Sequence, residues 1–537
     1  MPASFRFLLP VAALALIGAL ILVAVTNGDD EQAVDDTAQG ATQPADEESG
    51  DGDDSGSADE DATEDDAMED DAMEDDAMED DAMEDEDSGT GEPEPEPEPV
   101  DPDNLTPGVA RDFGPAPAVP DGDWPDEAAG ALDQVLGLLI TGTNPTGQIR
   151  TVVDSEDPRF AWPLADLLRF VGPGEANQTL TGAVQQLLPG AEIDPFSPWG
   201  STVDHLIAWD VPVPDQQYLN FKRNLYGEIE PKWAELFTDG TEIDWRHVGW
   251  GGVGIDDREF GSNDPCSCIP ALDNPAVTDA DGGDWYPDDA LIFGLEINGE
   301  TRAYPKNIME IHEMVNDTLG GRDIGMPYCT LCGSAQAYFT DELPDDLAAE
   351  FGRPVFRTSG LLIRSNKMMF ERNSRSFIDT FQGDAASGPL ADAEVVFTQT
   401  SVVTTTWGEW KAANPDTTII AEDGGIGRTY DLDPLQGRDD NGPIFPIGDV
   451  DPRLPVQEPV LGVIGESGTP IAFHVAAAEV VLGNGERIEV DGIELRPAAG
   501  GVRAFRNGED AGGHQAFWFA WSQFQPDTAV WPLDFRG

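Results

Sequence analysis

The chain has 537 residues, with 105 Asp and Glu against 28 Lys and Arg, for a formal net charge of −77 at neutral pH. A surface of that sign repels nucleic acid and anionic lipid headgroups, which excludes both as partners. Only four cysteines and five histidines are present, so few positions can carry sulfur or metal chemistry.

In chain order, the first element is an apolar run. Phe7 to Val25, FLLPVAALALIGALILVAV, is 19 residues without a charge, close to the roughly 20 needed to span a bilayer as a helix. Arg6 precedes it and Asp29, Asp30 and Glu31 follow, which keeps the N-terminus inside and sends the rest across. No small-residue cleavage site follows, so residues 1–28 are expected to be an uncleaved anchor in the cell membrane. Cleavage as a signal segment, giving a secreted chain, is the alternative. Both place the bulk of the chain outside the cytoplasm.

Residues 29–105 read as a disordered acidic stalk. Asp29 to Asp103 holds 36 Asp or Glu and no Lys or Arg, and EDDAM recurs from Glu64 to Met83. A five-residue period fits neither a helix seam nor a strand, and the charge opposes packing. EPEPEPEP, Glu92 to Pro99, adds an extended spacer. Beyond it the excess of acid persists, with a net charge of −42 over residues 104–537.

Residues 106–255 are expected to form a helical domain. DEAAGALDQVLGLL, PRFAWPLADLLRFV and NQTLTGAVQQLL space apolar residues three and four apart. Breaks at Asp157-Pro158 and Gly172-Pro173-Gly174 separate them, which suggests an array of HEAT-like repeats. His205 falls on an apolar helical stretch and reads as a packing residue.

Residues 256–537 are expected to be a mainly β (α+β) domain. Strand-like segments include ALIFGLEIN, EVVFTQTSVVTTTW, TTIIAED and IAFHVAAAEVVL, with the aromatic AFWFAWSQFQPDTAVW closing the region. ERIEVDGIELRP reads as a hairpin turning at Asp491-Gly492. One helix is predicted, from Pro305, with Ile308, Ile311, His312, Val315 and Asn316 on one face. A strand from Arg322 to Met326 then leads into Tyr328-Cys329-Thr330-Leu331-Cys332-Gly333, and SAQAYF alternates as a strand after it. The Cys-x-x-Cys pair is thus expected on a turn between two strands.

The remaining cysteines are Cys266 and Cys268. Spacing leaves three chemistries open. The Cys329/Cys332 pair suits a thiol-disulfide redox site, with Cys329 attacking, Cys332 resolving and His312 accepting a proton. That reading needs no cofactor. Alternatively Cys266, Cys268, Cys329 and Cys332 together suit a thiophilic metal, zinc or copper. The third reading is structural, with disulfides that only staple loops, in a non-enzymatic module that binds another cell-envelope protein. A lone Cys-x-Cys outside the cytoplasm is exposed to oxidation, so that pair is expected beside the Cys329/Cys332 turn.

Several stretches resemble one family. IPALDNPAV, RAYPKNIMEIHEMVNDTLGG, PYCTLCGSAQAYF, TSGLLIRSNKMMFERNSRSFIDTFQGDAASGPLA, TTTWGEWKAANPDTTII and VLGV occur in the order found in the bacterial domain of unknown function 3179. The resemblance runs from about Pro265 to Asp527. Some members are described as selenoproteins, which implies reactivity at the motif and favours a redox pair over a staple. The family pattern covers His312, Glu313, Asn316, Asp317, Tyr328, Cys329, Cys332, Gly333 and Ser334. It continues through Ser359, Gly360, Leu361, Arg364, Asn366 and Trp407. Asn316, Tyr328, Ser334, Arg364 and Asn366 are therefore expected to support the cysteines. The chain departs from the pattern at Thr330, where proline is common, and in having Cys266 and Cys268.

Overall fold

The computed structural model describes residues 100–241, 243–439 and 442–535. The expected membrane anchor and nearly all of the expected stalk lie outside the described residues. Among the described residues, no helix is long and apolar enough to cross a membrane.

Six helices make the first part: α1 (Asp126–Ile140), α2 (Thr146–Val153), α3 (Ala161–Phe170), α4 (Glu175–Leu187), α5 (Pro198–Ala208) and α6 (Asp215–Ile229). Their buried faces follow the spacing read from sequence; α1 buries Ala128, Ala131, Leu132 and Val135. His205 is buried in α5, its Nδ1 2.8 Å from the Ser201 carbonyl. Between α3 and α6, Lys222 meets Asp166 at 3.0 Å, and Tyr218 donates to the same carboxylate. Apolar residues of this array pack in one cluster with Leu361, Met368, Phe370 and Phe377 of the β-rich part. Trp233 adds a hydrogen bond from its indole to the Ser359 carbonyl, 2.7 Å.

The β-rich part opens with β1 (Val248–Trp250), β2 (Leu272–Asp273) and β3 (Val277–Asp279). Then come β4 (Leu291–Ile297), β5 (Glu300–Pro305) and α7 (Lys306–His312). The cysteine region follows: β6 (Met314–Leu319), β7 (Arg322–Cys329), β8 (Ser334–Ala335) and β9 (Ala337–Phe339). After α8 (Asp345–Phe351) come β10 (Phe356–Ile363), β11 (Asn366–Glu371) and β12 (Ser376–Ile378). The chain proceeds through α9 (Gly388–Asp392), β13 (Gln399–Thr400), β14 (Val403–Thr406), α10 (Trp407–Ala413) and β15 (Thr418–Ile420). The last stretch holds β16 (Pro459–Ile464), β17 (Pro470–His474), α11 (Val475–Gly483) and β18 (Ile488–Val490). It ends with β19 (Ile493–Ala498), β20 (Gly501–Arg506), β21 (Glu509–Asp510), β22 (His514–Phe517), α12 (Trp518–Phe524) and β23 (Ala529–Trp531).

Two of the sheets share one plan. Their orders are β14-β4-β5-β15-β3 and β22-β16-β17-β23. In each, an antiparallel hairpin leads into a helix, and a later strand-helix-strand unit returns to flank it. The returning unit's first strand is antiparallel to the hairpin, and its last strand is parallel. Side chains repeat too. Trp410 donates to Thr417 Oγ1 at 2.9 Å, and Trp521 donates to Thr528 Oγ1 at 2.8 Å. Each indole lies over a glycine: a β-carbon on Gly294 would come within 2.4 Å of Trp410, and one on Gly462 within 2.1 Å of Trp521. The two units differ in what lies between their halves. The first encloses the cysteine motif and the β10-β11 hairpin; the second encloses only the small sheet β18-β19-β20-β21.

Gly294→Ala and Gly462→Ala are each expected to destabilise the protein by about 1–3 kcal/mol through overpacking. Gly130→Ala, in α1 with open space around its β-carbon, should instead add about 0.4–1 kcal/mol. Denaturant midpoints compare the three. Equal midpoints would show that the indoles do not press on the glycines.

Three expectations need correction. The helix from Pro305 stops at His312, so Val315 and Asn316 lie on β6. Glu313 turns left-handed there, at φ 49°, and β6 finds its partner in β7. IAFHVAAAEVVL is strand only to His474. Its alanines favour helix, and His474 Nδ1 caps that helix by accepting from Ala477 N at 3.3 Å. The C-terminal aromatic segment is likewise a short helix, α12, between two strands. The Asp491-Gly492 hairpin is present as predicted, with both residues at positive φ.

Candidate functional site

Two adjoining hairpins position the cysteines. Gly320 and Gly321, both at positive φ, turn β6 back into β7, which ends at Cys329. One helical turn, Thr330–Cys332, follows. Gly333 then reverses the chain at φ 57°, so that Ser334 pairs with Cys329. A side chain at 333 would press on Phe517, whose ring lies 3.0 Å from the β-carbon position. The pair therefore sits on a turn between two strands.

Both motif cysteines are free thiols, and both are buried, with 2% of Cys329 and 0% of Cys332 exposed. Ser365, at the tip of the β10-β11 hairpin, aims its carbonyl at the two sulfurs, 3.9 Å from Cys329 Sγ and 3.5 Å from Cys332 Sγ. The two thiols are driven in opposite directions. Burial pushes Cys332 well above its ordinary value, and the hydrogen bond it donates to Cys329 holds its proton further. Burial also pushes Cys329 up, as does the Glu313 charge. The Cys332 S–H, the Lys367 backbone N–H and the Lys367 ammonium outweigh these and leave Cys329 below its ordinary value. Cys329 is thus the more acidic thiol of the pair and Cys332 the one that keeps its proton.

Lys367 is the cation of this site and is only 4% exposed. It meets the Glu313 carboxylate at 3.1 Å and donates to the Glu313 carbonyl. Glu313 is fixed by its left-handed backbone, by Tyr328 N on its carbonyl at 3.0 Å, and by Thr330 Oγ1 on its carboxylate at 3.2 Å. The departure at position 330 therefore supplies a hydroxyl to the carboxylate that holds the lysine.

Polar atoms without protein partners flank the dithiol. Ser334 Oγ and both amide atoms of Gln336 and of Asn366 are buried and make no hydrogen bond within the protein. Ser334 pairs with Cys329 across the turn, Gln336 N bonds to the Pro327 carbonyl, and Asn366 follows Ser365. Buried polar groups are nearly always satisfied, so Ser334, Gln336 and Asn366 are the polar side chains near the dithiol with hydrogen-bonding capacity left over.

On the other side of the 364–367 hairpin tip, a cleft of about 900 Å³ opens to solvent. Arg364, Lys367, Asp379, Thr380 and Phe524 line it. Phe524 stacks on Phe381 at 4.7 Å, and both belong to the apolar cluster around the cysteines. Burial raises Asp379 and Asp384 on the same wall above the usual carboxylate range.

Residues 266–490 match a family model described as protein of unknown function, DUF3179. This segment belongs to that family. No curated protein and no solved structure matches the chain. The DUF3179 segment contains the dithiol, Lys367, Glu313 and Arg364, whereas Phe517, Trp518 and Trp521, which pack around the dithiol, lie beyond its end. The resemblance was expected to run further, to Asp527.

The other DUF3179 positions divide by role. His312 does not reach the thiols: its Nδ1 is 2.6 Å from the Pro270 carbonyl and its Nε2 is 2.7 Å from the Tyr430 hydroxyl. Both ring nitrogens are committed, so the expected proton acceptor is a structural residue. Asn316 is likewise fully used, by Asp273 and by both backbone groups of Phe356. Tyr328 is buried against Phe293, and Trp407 is a core residue. Ser334 and Asn366 stand at the dithiol, and Arg364 stands in the cleft.

The four cysteines do not form one ligand set. Cys266 and Cys268 are joined as a disulfide. Among the described residues, the only group of three or more metal-type ligand atoms brought mutually within 4.8 Å is that of Asp256, Cys266 and Cys268. Tetrahedral zinc with thiolates at about 2.3 Å needs sulfurs closer together than that, so Cys329 and Cys332 cannot share a centre with the other pair. Asp256 is already engaged by Arg258 at 2.8 Å and by Ala271 N at 2.8 Å. The two pairs sit on different supports, Cys268 bridging to Gly254 and the motif resting under Ser365.

Sequence reading missed Lys367, Gln336 and a second buried cluster. In that cluster Lys306 bridges Glu310 and Asp439, at 2.9 Å from the latter. Burial outweighs Lys306 and lifts Glu310 to about 7. A lysine among strand apolar residues, in NKMMF, was the signal available for Lys367, since lysine is almost never fully buried unless paired.

His312 also makes stability depend on pH. Burial depresses it to about 4, below its unfolded value near 6.5. The unfolded chain therefore binds more protons between those values, and stability is lost as pH falls from about 6.5 towards 4. Between pH 7 and pH 5 the native chain is expected to lose about 2 kcal/mol more than a His312→Gln variant. Parallel denaturation curves at the two pH values measure this; equal losses would mean that His312 is not buried neutral.

Proposed function

We propose that the chain is a thiol-disulfide oxidoreductase whose working pair is Cys329 and Cys332. One observation carries the reading: two free, buried thiols lie side by side under one backbone carbonyl, near a buried lysine, with their proton affinities pushed apart. A structural staple would be closed as a disulfide and would have no use for the cation. Cys329 is the attacking thiolate, and Lys367 and the Cys332 S–H stabilise its charge. Cys332 resolves the mixed disulfide. Glu313 and Thr330 hold the lysine in place. The apolar run at residues 7–25 supports placement at the cell membrane, with this site on the extracytoplasmic side and an envelope redox partner to reset it.

The test is a redox titration. Protein equilibrated in thiol/disulfide buffers of graded potential, then alkylated and weighed by mass spectrometry, should show a single two-electron transition at Cys329/Cys332. If neither thiol changes state across the physiological range of couples, the reading fails.

The Cys266/Cys268 pair carries a second reading. Its sulfurs lie within 4.8 Å of an Asp256 oxygen that Arg258 and Ala271 N already hold, so the reduced pair offers two thiolates to a thiophilic ion. Metal analysis after reduction, on protein purified without chelator, decides it; an ion retained equally by a Cys266→Ser variant would exclude this site.

A further inference from the structure

The two cysteine pairs stand in opposite states: Cys266 and Cys268 are joined, and Cys329 and Cys332 are free. Cys266 is exposed on the surface, and Cys268 is 9% exposed. A disulfide stabilises the fold more when it closes a longer loop, and this one joins residues only two apart. Its contribution to global stability is therefore small, and its effect is local. It fixes the turn at Ser267, whose carbonyl accepts from Gly254 N at 2.7 Å. An exposed disulfide that does little for the fold as a whole belongs to the labile, regulatory kind.

The turn it fixes runs straight into two supports of the other pair. The Ile269 carbonyl accepts from Thr358 Oγ1 at 2.8 Å. Thr358 lies on β10, the strand that leads to Ser365, whose carbonyl faces both motif sulfurs. The Pro270 carbonyl accepts from His312 Nδ1 at 2.6 Å. His312 ends α7, and the next residue, Glu313, turns left-handed and holds Lys367 by its carboxylate and its carbonyl. Lys367 in turn favours the Cys329 thiolate. Within two residues of Cys268, the chain thus touches both the hairpin over the sulfurs and the neighbour of the residues that set the charge beside them. The pairs rest on different supports, so the route between them is a change of position and not a transfer of electrons.

We infer that the Cys266–Cys268 disulfide is a thiol-operated switch on the reactivity of Cys329. Closed, it keeps Ile269 and Pro270 in place against Thr358 and His312. A low-molecular-weight thiol opens it. The thiolate attacks Cys266 Sγ, the Cys266–Cys268 bond breaks, and Cys268 departs as a thiolate that takes up a proton. A second thiol molecule gives up its proton and attacks the mixed disulfide, and Cys266 leaves with that proton as a thiol. The protein disulfide is reduced by two electrons, and two small thiols are oxidised to one disulfide. The open pair no longer fixes the Ser267 turn, Pro270 relaxes away from His312, and Glu313 and Lys367 support the Cys329 thiolate less well. The switch goes beyond the oxidoreductase reading and does not need it, because it concerns only how readily Cys329 ionises.

The test uses the full-length protein in a Cys332→Ser background with EDTA present, so that Cys329 is the one motif thiol and no metal bridges the other pair. Alkylation of Cys329 by iodoacetamide is followed by peptide mass against pH. The closed form is compared with a Cys266→Ser/Cys268→Ser variant that cannot close. The variant should react about fivefold more slowly at neutral pH, with its pH midpoint moved up and its rate at high pH unchanged. A damaged fold would instead change the rate at every pH. In the closed form, treatment with 2-mercaptoethanol followed by desalting should lower the Cys329 rate in proportion to the fraction of the pair opened. His312→Phe and Thr358→Val each remove one donor from the route and should bring the closed-to-open ratio towards one. Equal rates in the closed and open forms overturn the proposal, as does a ratio that neither variant lowers, or a pair that 2-mercaptoethanol leaves closed. A Cys329/Cys332 pair that never changes redox state would reject the oxidoreductase reading and leave this result as it stands.

Discussion

Reduced Cys329→Ser protein is expected to react with iodoacetamide at neutral pH at least ~100-fold more slowly than Cys332→Ser protein. The thiolate is the nucleophile, and each unit of pKa changes its fraction roughly tenfold. Cys332 is pushed well above its ordinary value, whereas Cys329 is brought below. Serine is the right replacement at 332, because its hydroxyl can still donate to Cys329 Sγ; alanine would remove that donor and slow the thiol under test. The same Cys332→Ser protein should accumulate a mixed disulfide with a small aromatic disulfide, since nothing remains to resolve it. Labelling rates that are equal in the two variants would mean that the pair is not polarised, and faster labelling at Cys332 would reverse the assignment of attacker and resolver.

Lys367→Met is the second large effect, and it should act on two properties at once. Without the ammonium, the Cys329 thiolate loses a cation that favours it, and its pKa should rise. The Glu313 carboxylate, 3.1 Å from Lys367 Nζ in the native protein, loses its partner in a largely buried setting. Breaking a buried pair from one side costs about 3–5 kcal/mol. A Glu313→Gln change on top of Lys367→Met removes the stranded charge and should recover most of the stability while leaving thiol reactivity low. Denaturation curves and pH-dependent alkylation of the double variant separate the two roles. Recovery of both properties together would show that Lys367 affects the thiol only by keeping the site folded.

The turn carrying the motif was legible in sequence because local rules agreed there. Alternation on both sides of Cys329-Thr330-Leu331-Cys332 and a glycine after it leave little but a strand-turn-strand reading. The helix after Pro305 was legible at its start and not at its end, because its apolar spacing continues into Val315 while the chain has already left helix at Glu313. Sheet pairing of β6 with β7 overrides the pattern, and a single left-handed residue is invisible to periodicity. The C-terminal aromatics misled for the opposite reason: Trp518, Phe519 and Trp521 are all buried, so a short helix buried around most of its circumference resembles a strand in composition. Its kinship to Trp407–Ala413 was in view, as Trp-x-x-Trp followed by Pro-Asp-Thr at both places. The site's chemistry was only half legible. Cys329, Cys332, Ser334, Arg364 and Asn366 came from motif and family resemblance, but their companions Lys367 and Gln336 are set by which strands the tertiary fold lays side by side.

The two matching sheet units bear on how the thiols are reached. Cys329 and Cys332 share one apolar cluster with Val460, Ala472, Trp518 and Trp521, all from the second unit, so the dithiol sits on a seam between the hairpin inserted in the first unit and the whole of the second. In a homodimer such a seam would separate on dilution. Here both faces belong to one chain, and the connecting segment keeps their effective concentration high at any protein concentration. Access to the sulfurs across this seam is then a unimolecular breathing event, with a free energy below that of global unfolding. The thiol-labelling rate would carry that opening equilibrium as a multiplying factor, independent of how much protein is in the tube.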